Sequence, residues 1–161
     1  MKHIFLDINI IIDIFAARSP FDISAIELYR LAKENKIKIY ISATSYTTIY
    51  YILRINKIAH NKCLLIIQDL LKCTAIIATD QLVINKAVNS GFDDFEDGVQ
   101  YISAKSTPKI SLIVSRDKKG FKKSTIPVMD AEQALASPEY KRYINACAEL
   151  QCEEILDLSK D

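Results

Sequence analysis

Glycine and proline are scarce, with three and four residues among 161. That leaves little material for long flexible linkers, and no low-complexity segment or internal repeat is present. No run reaches the roughly 18 uninterrupted apolar residues that a membrane span needs. The apolar N-terminal run is broken by Asp7 and is followed by no small-residue cleavage site. No secretory signal is therefore expected, and a cytoplasmic protein without membrane contact is. The four cysteines, Cys63, Cys73, Cys147 and Cys152, show no disulfide framework for a chain of this size. Cys147 and Cys152 form a C-x4-C pair, but the two histidines, His3 and His60, lie far off without zinc spacing. The thiols read as buried or idle. An excess of charge is also lacking: the net charge is +1. Any nucleic-acid contact must then use a local patch. Half of the residues are apolar, enough for the core of one domain.

Apolar runs alternate in type along the chain. "HIFLD" is a short strand ending at Asp7, and "INIIIDIFAAR" continues as a helix despite its β-branched content. "SPFD" is turn chemistry, and "ISAIELYRLAKENK" has helical spacing. "IKIYIS" is a strand. "TSYTTIYYILRI" fits either type: its composition favours a strand, its length a helix capped by Ser42 or Ser45. "HNKCLLIIQDLLKC" is a helix and "TAIIAT" a strand. "DQLVINKAVNSG" opens on a capping Asp and closes at Gly91. "DDFEDGVQYISAKS" is helical, "KISLIVS" and "STIPVM" are strands, and "DAEQAL" begins a helical end. Strands separated by helices predict a three-layer α/β/α domain around a mostly parallel sheet. The domain is expected over residues 1–137, with a helical extension over 138–161. The extension's Tyr140, Tyr143, Ile144, Leu150, Ile155 and Leu156 would pack on the domain or form an interface.

In such sheets ligands bind at the carboxyl ends of the strands. Asp7 ends the first strand, and Asp117 follows "LIVSR". A lone carboxylate among Ile, Leu and Phe costs several kcal/mol to bury, so Asp7 needs a partner. "GFDDFEDGVQ" adds Asp93, Asp94, Glu96 and Asp97. In a helix, Asp94 and Asp97, or Asp93 and Asp97, would share a face and repel. The same acids equally suit a helix start, where capping and the macrodipole favour them. With no catalytic Ser, His or Cys arrangement, clustered carboxylates point to Mg²⁺ or Mn²⁺, which prefer oxygen ligands. Two such ions roughly 4 Å apart can activate water against a phosphodiester. "SRDKKGFKKS" places Arg116, Lys118, Lys119, Lys122 and Lys123 around Asp117, a candidate RNA-binding patch.

From Met1 to about Leu135 these segments resemble the PIN-domain ribonucleases, particularly the VapC-like toxins of toxin–antitoxin pairs. "FLDINIIID" is similar to the family's opening strand, with Asp7 at the first metal-binding position and Asn9 at a frequent polar one. "DFEDGVQYISA" is similar to the helix carrying the next acid, Asp97, with Asp94 in support. "LIVSRDKKGF" resembles the strand followed by Thr/Ser-x-Asp, which gives Ser115 and Asp117. "IPVMDAEQAL" is similar to the closing strand and helix. The resemblance implies a PIN-like fold and a Mg²⁺- or Mn²⁺-dependent endoribonuclease. It also implies a homodimer neutralised by a cognate antitoxin protein.

One departure stands out. The family's usual Glu after the second strand falls on Thr48 in "SYTTIYYIL", or on Thr47 if the register slips. A neutral hydroxyl is a poor ligand, and Asp13 and Asp93 are the acids on hand to compensate. The departure motivates a second reading, a PIN-fold protein that binds RNA or a partner without cleavage. A phosphoryl-transfer enzyme of the HAD type would want D-x-D where this chain has Asp7-Ile8-Asn9. A phospho-receiver domain would want a Lys that "IPVMD" lacks.

Overall fold

The computed structural model describes residues 1–138, 140 and 141. The elements run β1 (Lys2–Leu6), α1 (Ile8–Ala16), α2 (Phe21–Lys33), β2 (Ile37–Ser42), α3 (Ala43–Ile55), α4 (His60–Cys73), β3 (Thr74–Ile77), α5 (Gln81–Val88), α6 (Phe95–Lys105), β4 (Leu112–Val114), β5 (Val128–Met129) and α7 (Ala131–Ala136). The five strands form a wholly parallel sheet in the order β3-β2-β1-β4-β5. The chain first builds outward from β1 through β2 to β3, then returns to add β4 on the other side. The switch in strand order therefore lies between β1 and β4.

Strand alternation sorts the core into two layers. Ile4, Leu6, Ile37, Ile39, Ile41, Leu112 and Val114 pack with Ile11, Leu28, Ile49 and Leu70 from α1 to α4 on one face. Phe5 and Ile113 point the other way, to Tyr101, Ala104 and Phe121. α5 closes on α6 through Val83, Ala87 and Val99. This is the expected α/β/α arrangement.

The segment with two readings, "TSYTTIYYILRI", is helix α3. Ser42 caps it, its Oγ accepting from the Ser45 N–H at 3.2 Å. Burial of Ile49 and Leu53 on one stripe outweighs the β-leaning composition. Asp80 and Asp130 cap α5 and α7 in the same way. Gly91 has φ +71°, a left-handed conformation beyond the end of α5 that suits glycine. Tyr140 is buried in the first core layer. Residues 139 and 142–161, with Cys147, Cys152 and most of the expected extension, lie outside the described residues. Among the described residues no helix is long and apolar enough to cross a membrane.

α1 is tied to the end of β4 by charge. Asp13 on α1 is fully buried, and Arg116 Nε stands 2.8 Å from its Oδ2. The N–H is not aligned on that oxygen, so the attraction is Coulombic rather than a hydrogen bond. The guanidinium also lies over the Phe21 ring, 4.4 Å from its centre. Burial pushes the Asp13 carboxyl pKa up, against the pull of Arg116 and Arg18. Arg116→Ala is expected to cost about 3 kcal/mol, because it strands a buried charge. Asp13→Leu with Arg116→Met should recover most of that in urea unfolding. An unchanged midpoint in the single variant would refute the clamp.

Candidate metal centre

Asp7 follows β1, and its N–H donates to the Val114 carbonyl at 3.0 Å, so it sits at the β1–β4 switch. It occupies the N-cap position of α1, yet its side chain makes no cap hydrogen bond. The carboxylate turns instead into a polar nest. Ser115 Oγ donates to Asp7 Oδ2 at 2.6 Å. The Asn9 amide donates to the same oxygen and, at 3.1 Å, to Ser115 Oγ. The Gln100 side chain and the Ile8 N–H also donate toward Asp7. Only 5% of Asp7 is exposed, and burial, its leading influence, holds its pKa above the ordinary value despite these donors.

The same nest orders Asp117. The Asp117 N–H donates to Ser115 Oγ at 2.9 Å, and the Gly120 N–H donates to Asp117 Oδ1 at 2.8 Å. The Arg116 N–H donates to Asn9 Oδ1 at 3.3 Å. Ser115 and Asn9 thus stitch the strand end that carries Asp117 to the one that carries Asp7. Asp97 comes from the first turn of α6 on the opposite layer. A Cβ on Gly120 would run into Asp97 Oδ2 and come within 2.9 Å of Asp117 Oδ2. The absent side chain lets the two carboxylates converge.

Asp7, Asp97, Asp117 and Glu96 line one hollow of about 220 Å³, with Asn9, Gln100 and Arg18. Burial first, then the charges of Asp7, Asp94, Asp117 and Glu96, push the Asp97 carboxyl up to about 7. Crowded acids repel, and a cation is what would make the arrangement favourable. Among the described residues no three acid, His or Cys side chains stand close enough to be bridged by one ion. Two observations nevertheless fit a hydrated divalent ion. The donors are all oxygens, and Gln100 Oε1, on a residue 2% exposed at the hollow, has no hydrogen-bond partner.

Other sequence expectations land elsewhere. Asp94 is the N-cap of α6, its Oδ1 accepting from the Glu96 and Asp97 N–H groups at 2.7 and 3.3 Å. Asp94 thus precedes the helix, does not line the hollow, and supports Asp97 rather than joining it on one helical face. Neither acid named to compensate for Thr48 does so. Asp13 is taken by Arg116, and Asp93 is 71% exposed and paired with Lys122 and Lys123. Thr48 lies beside Glu96, its hydroxyl placed to donate to that carboxylate. The basic patch is divided as well. The Arg116 guanidinium is committed to Asp13 and is withdrawn from the RNA-binding set. Lys118 reaches Asp130 and Gln133 at 3.1 and 2.6 Å. These lysine pairs lie at the surface, where ion pairs are weak, and the ammonium groups stay available. A larger hollow of about 450 Å³ lies beyond Arg116, lined by Asp13, Phe21, Lys118 and Asp130. Its one buried carboxylate already has a cation, so the smaller hollow is the candidate site.

Glu96 stood in the acidic cluster without a role of its own, and nothing in the sequence marked Gln100 or Arg18. Glu96 looked like part of a helix start, and Gln100 like an ordinary helical polar residue. Arg18 reaches the hollow because Ala17 ends α1 with φ 48°, which turns the chain back; no local signal marks that.

Residues 3–119 match the family model of the PIN domain. The chain is 32% identical over 137 residues to "Ribonuclease VapC1" of Aquifex aeolicus, across 82% of this chain and 92% of that protein. Its fold is similar to that in the crystal structure of VapBC2 from Rickettsia felis bound to a DNA fragment from their promoter. The TM-score is 0.60 at 16% identity, over 80% of this chain and 98% of that one. PAE2754 from Pyrobaculum aerophilum is also similar, with a TM-score of 0.57 at 16% identity, over 83% and 87% of the two chains.

Two outcomes follow from the site's electrostatics. The Asp97 carboxyl has a folded pKa of about 7 against an ordinary value of 3.8. Its ionised form therefore opposes folding above pH 7, and the penalty fades as pH falls toward 3.8. Metal-free Asp97→Asn should melt above the wild type near pH 8, with the gap closing toward pH 5. His3, whose lowered pKa has the opposite sign, cancels in that difference. Equal melting temperatures at both pH values would contradict the crowding. Gly120→Ala should keep the unfolding transition yet weaken Mn²⁺ binding about tenfold in calorimetry, as displaced supports of a metal site do. Undiminished binding would mean that Asp97 and Asp117 need not converge there.

Proposed function

The chain belongs to the PIN-domain family, and from that premise we propose that it is a metal-dependent endoribonuclease, the toxin of a toxin–antitoxin pair. The observation that carries the reading is the buried Asp7 carboxylate. It stands at a helix N-cap without capping and faces Asp97 and Asp117 at the strand-order switch. The likeness to a protein named a ribonuclease over most of both chains supports the substrate class. The fold shared with a VapBC2 complex supports an antitoxin as partner. A homodimer acting in the cytoplasm belongs to the same proposal.

Asp7, Asp97 and Asp117 would hold Mg²⁺ or Mn²⁺. When bound, such an ion acidifies water and neutralises charge building on a phosphodiester. The protein's own work is positioning. Ser115 and Asn9 hold Asp7 and the Asp117 loop in fixed relation. Ser115 and Gln100 keep Asp7 oriented toward the hollow rather than toward the helix end. Arg18 at the rim, with Lys118, Lys119, Lys122 and Lys123 on the loop after β4, offers positive charge to the RNA backbone.

Thr48 in place of a carboxylate favours a second reading, a member that binds RNA or a partner without cutting. Cleavage of a mixed RNA pool by the purified chain with Mn²⁺ separates the two. The nuclease reading expects cleavage that EDTA abolishes and that Asp97→Asn lowers at least about a hundredfold, as loss of a group acting in the transition state does. RNA binding without cleavage, across Mn²⁺ and Mg²⁺ and in folded protein, would favour the non-catalytic reading.

A further inference from the structure

We propose that Glu96 is the fourth carboxylate of the metal site, supplying from α6 the charge that Thr48 does not supply from α3. The inference rests on the metal-nuclease reading above.

Glu96 and Asp97 both belong to the first turn of α6 and both line the hollow that Asp7 and Asp117 enter. Each other acid considered for the role is committed. Asp13 answers Arg116, Asp93 answers two lysines, and Asp94 caps α6 and does not line the hollow. Among the described residues, the Thr48 hydroxyl is the donor that favours the ionised Glu96 carboxylate. A threonine there is a poor ligand but a good donor. It can hold one carboxylate oxygen and leave the other for a cation, which a second carboxylate at position 48 would not do.

Gln100 is an independent sign that something is received at this place. It follows Glu96 by one helical turn, on the same side of α6. It is buried at the hollow, and its Oε1 accepts from nothing. Buried acceptors seldom go unanswered. Water carried by a hydrated divalent ion is a donor of the right kind, since Mg²⁺ and Mn²⁺ sites keep several waters. Asp7, Asp97, Asp117 and Glu96 would then make an all-oxygen set, reached from β1, β4 and α6.

The test is Mn²⁺ binding to the full metal-stripped chain, read by calorimetry and by the Mn²⁺-induced rise in melting temperature. Glu96→Gln keeps the side chain's shape and its contact with Thr48. It should bind Mn²⁺ at least about tenfold more weakly, while the metal-free protein melts at or above the wild-type temperature because a crowded charge is gone. Adding Thr48→Glu to Glu96→Gln should regain most of the lost affinity, because the charge returns from the other side. Should that double variant fail to fold, the single variant still decides. Affinity of Glu96→Gln within about twofold of wild type, with binding lost in Asp97→Asn, would overturn the role of Glu96 and leave the metal reading intact. No Mn²⁺ binding by the wild type would overturn both.

Discussion

The hydrogen bond from Ser115 to Asp7, 2.6 Å long and buried, joins the ends of β1 and β4. The arrangement of the carboxyl edge depends on it. β1 and β4 are neighbours in the sheet but more than a hundred residues apart in sequence. Their backbone ladder brings the two ends together, and the Asp7 carboxylate decides what is built there. Ser115 donates to Asp7 while accepting from the Asp117 N–H, and Asn9 touches both Asp7 and Ser115. A carboxylate that would be costly alone among apolar neighbours is held by several donors. The residues that supply them also set the position of the next acid.

Stability and the gathering of acids pull in different directions at this edge. Burial and mutual repulsion raise the pKa of Asp7, Glu96 and Asp97. The fold carries that penalty with help from groups that are otherwise ordinary. Asp94 secures the start of α6 and fixes Asp97 on its first turn. Gly120 leaves the space in which Asp97 and Asp117 meet. Arg116 sits between Ser115 and Asp117 in sequence, yet its side chain turns away to Asp13 on α1. It anchors the loop from behind while the lysines that follow face outward.

Much of this was legible in the residues. The alternation of runs implied the layered parallel domain, and strand-end acids implied a site at the carboxyl edge. Asp7, Asp97 and Asp117 do line a single hollow. What the letters left open was which acid does what within "DDFEDG". A capping carboxylate and a site carboxylate look alike as letters. The difference is the direction of one side chain, set by whether a free N–H lies within reach. The helix begins at Phe95 rather than earlier, so Asp93 and Asp94 precede it and share no helical face with Asp97. Arg116 was grouped with the lysines for its charge. Its real partner, Asp13, is distant in sequence and is brought close only by the packing of α1 against the β4 end.

The sequence by itself determined the element types wherever period and capping agreed, the parallel class of the sheet, and the identity of the acids at strand ends. Those properties are local: they follow from side-chain periodicity, turn chemistry and short apolar runs. Only the tertiary structure decided that "TSYTTIYYILRI" is a helix, because the stripe of Ile49 and Leu53 has meaning only against a core. Only it decided that Glu96 faces Thr48, that Gln100 is buried with an unanswered acceptor, and that Gly120 stands under two carboxylates. Each of those facts is a distance between segments remote in the chain, and such distances exist only once the sheet has brought the segments together.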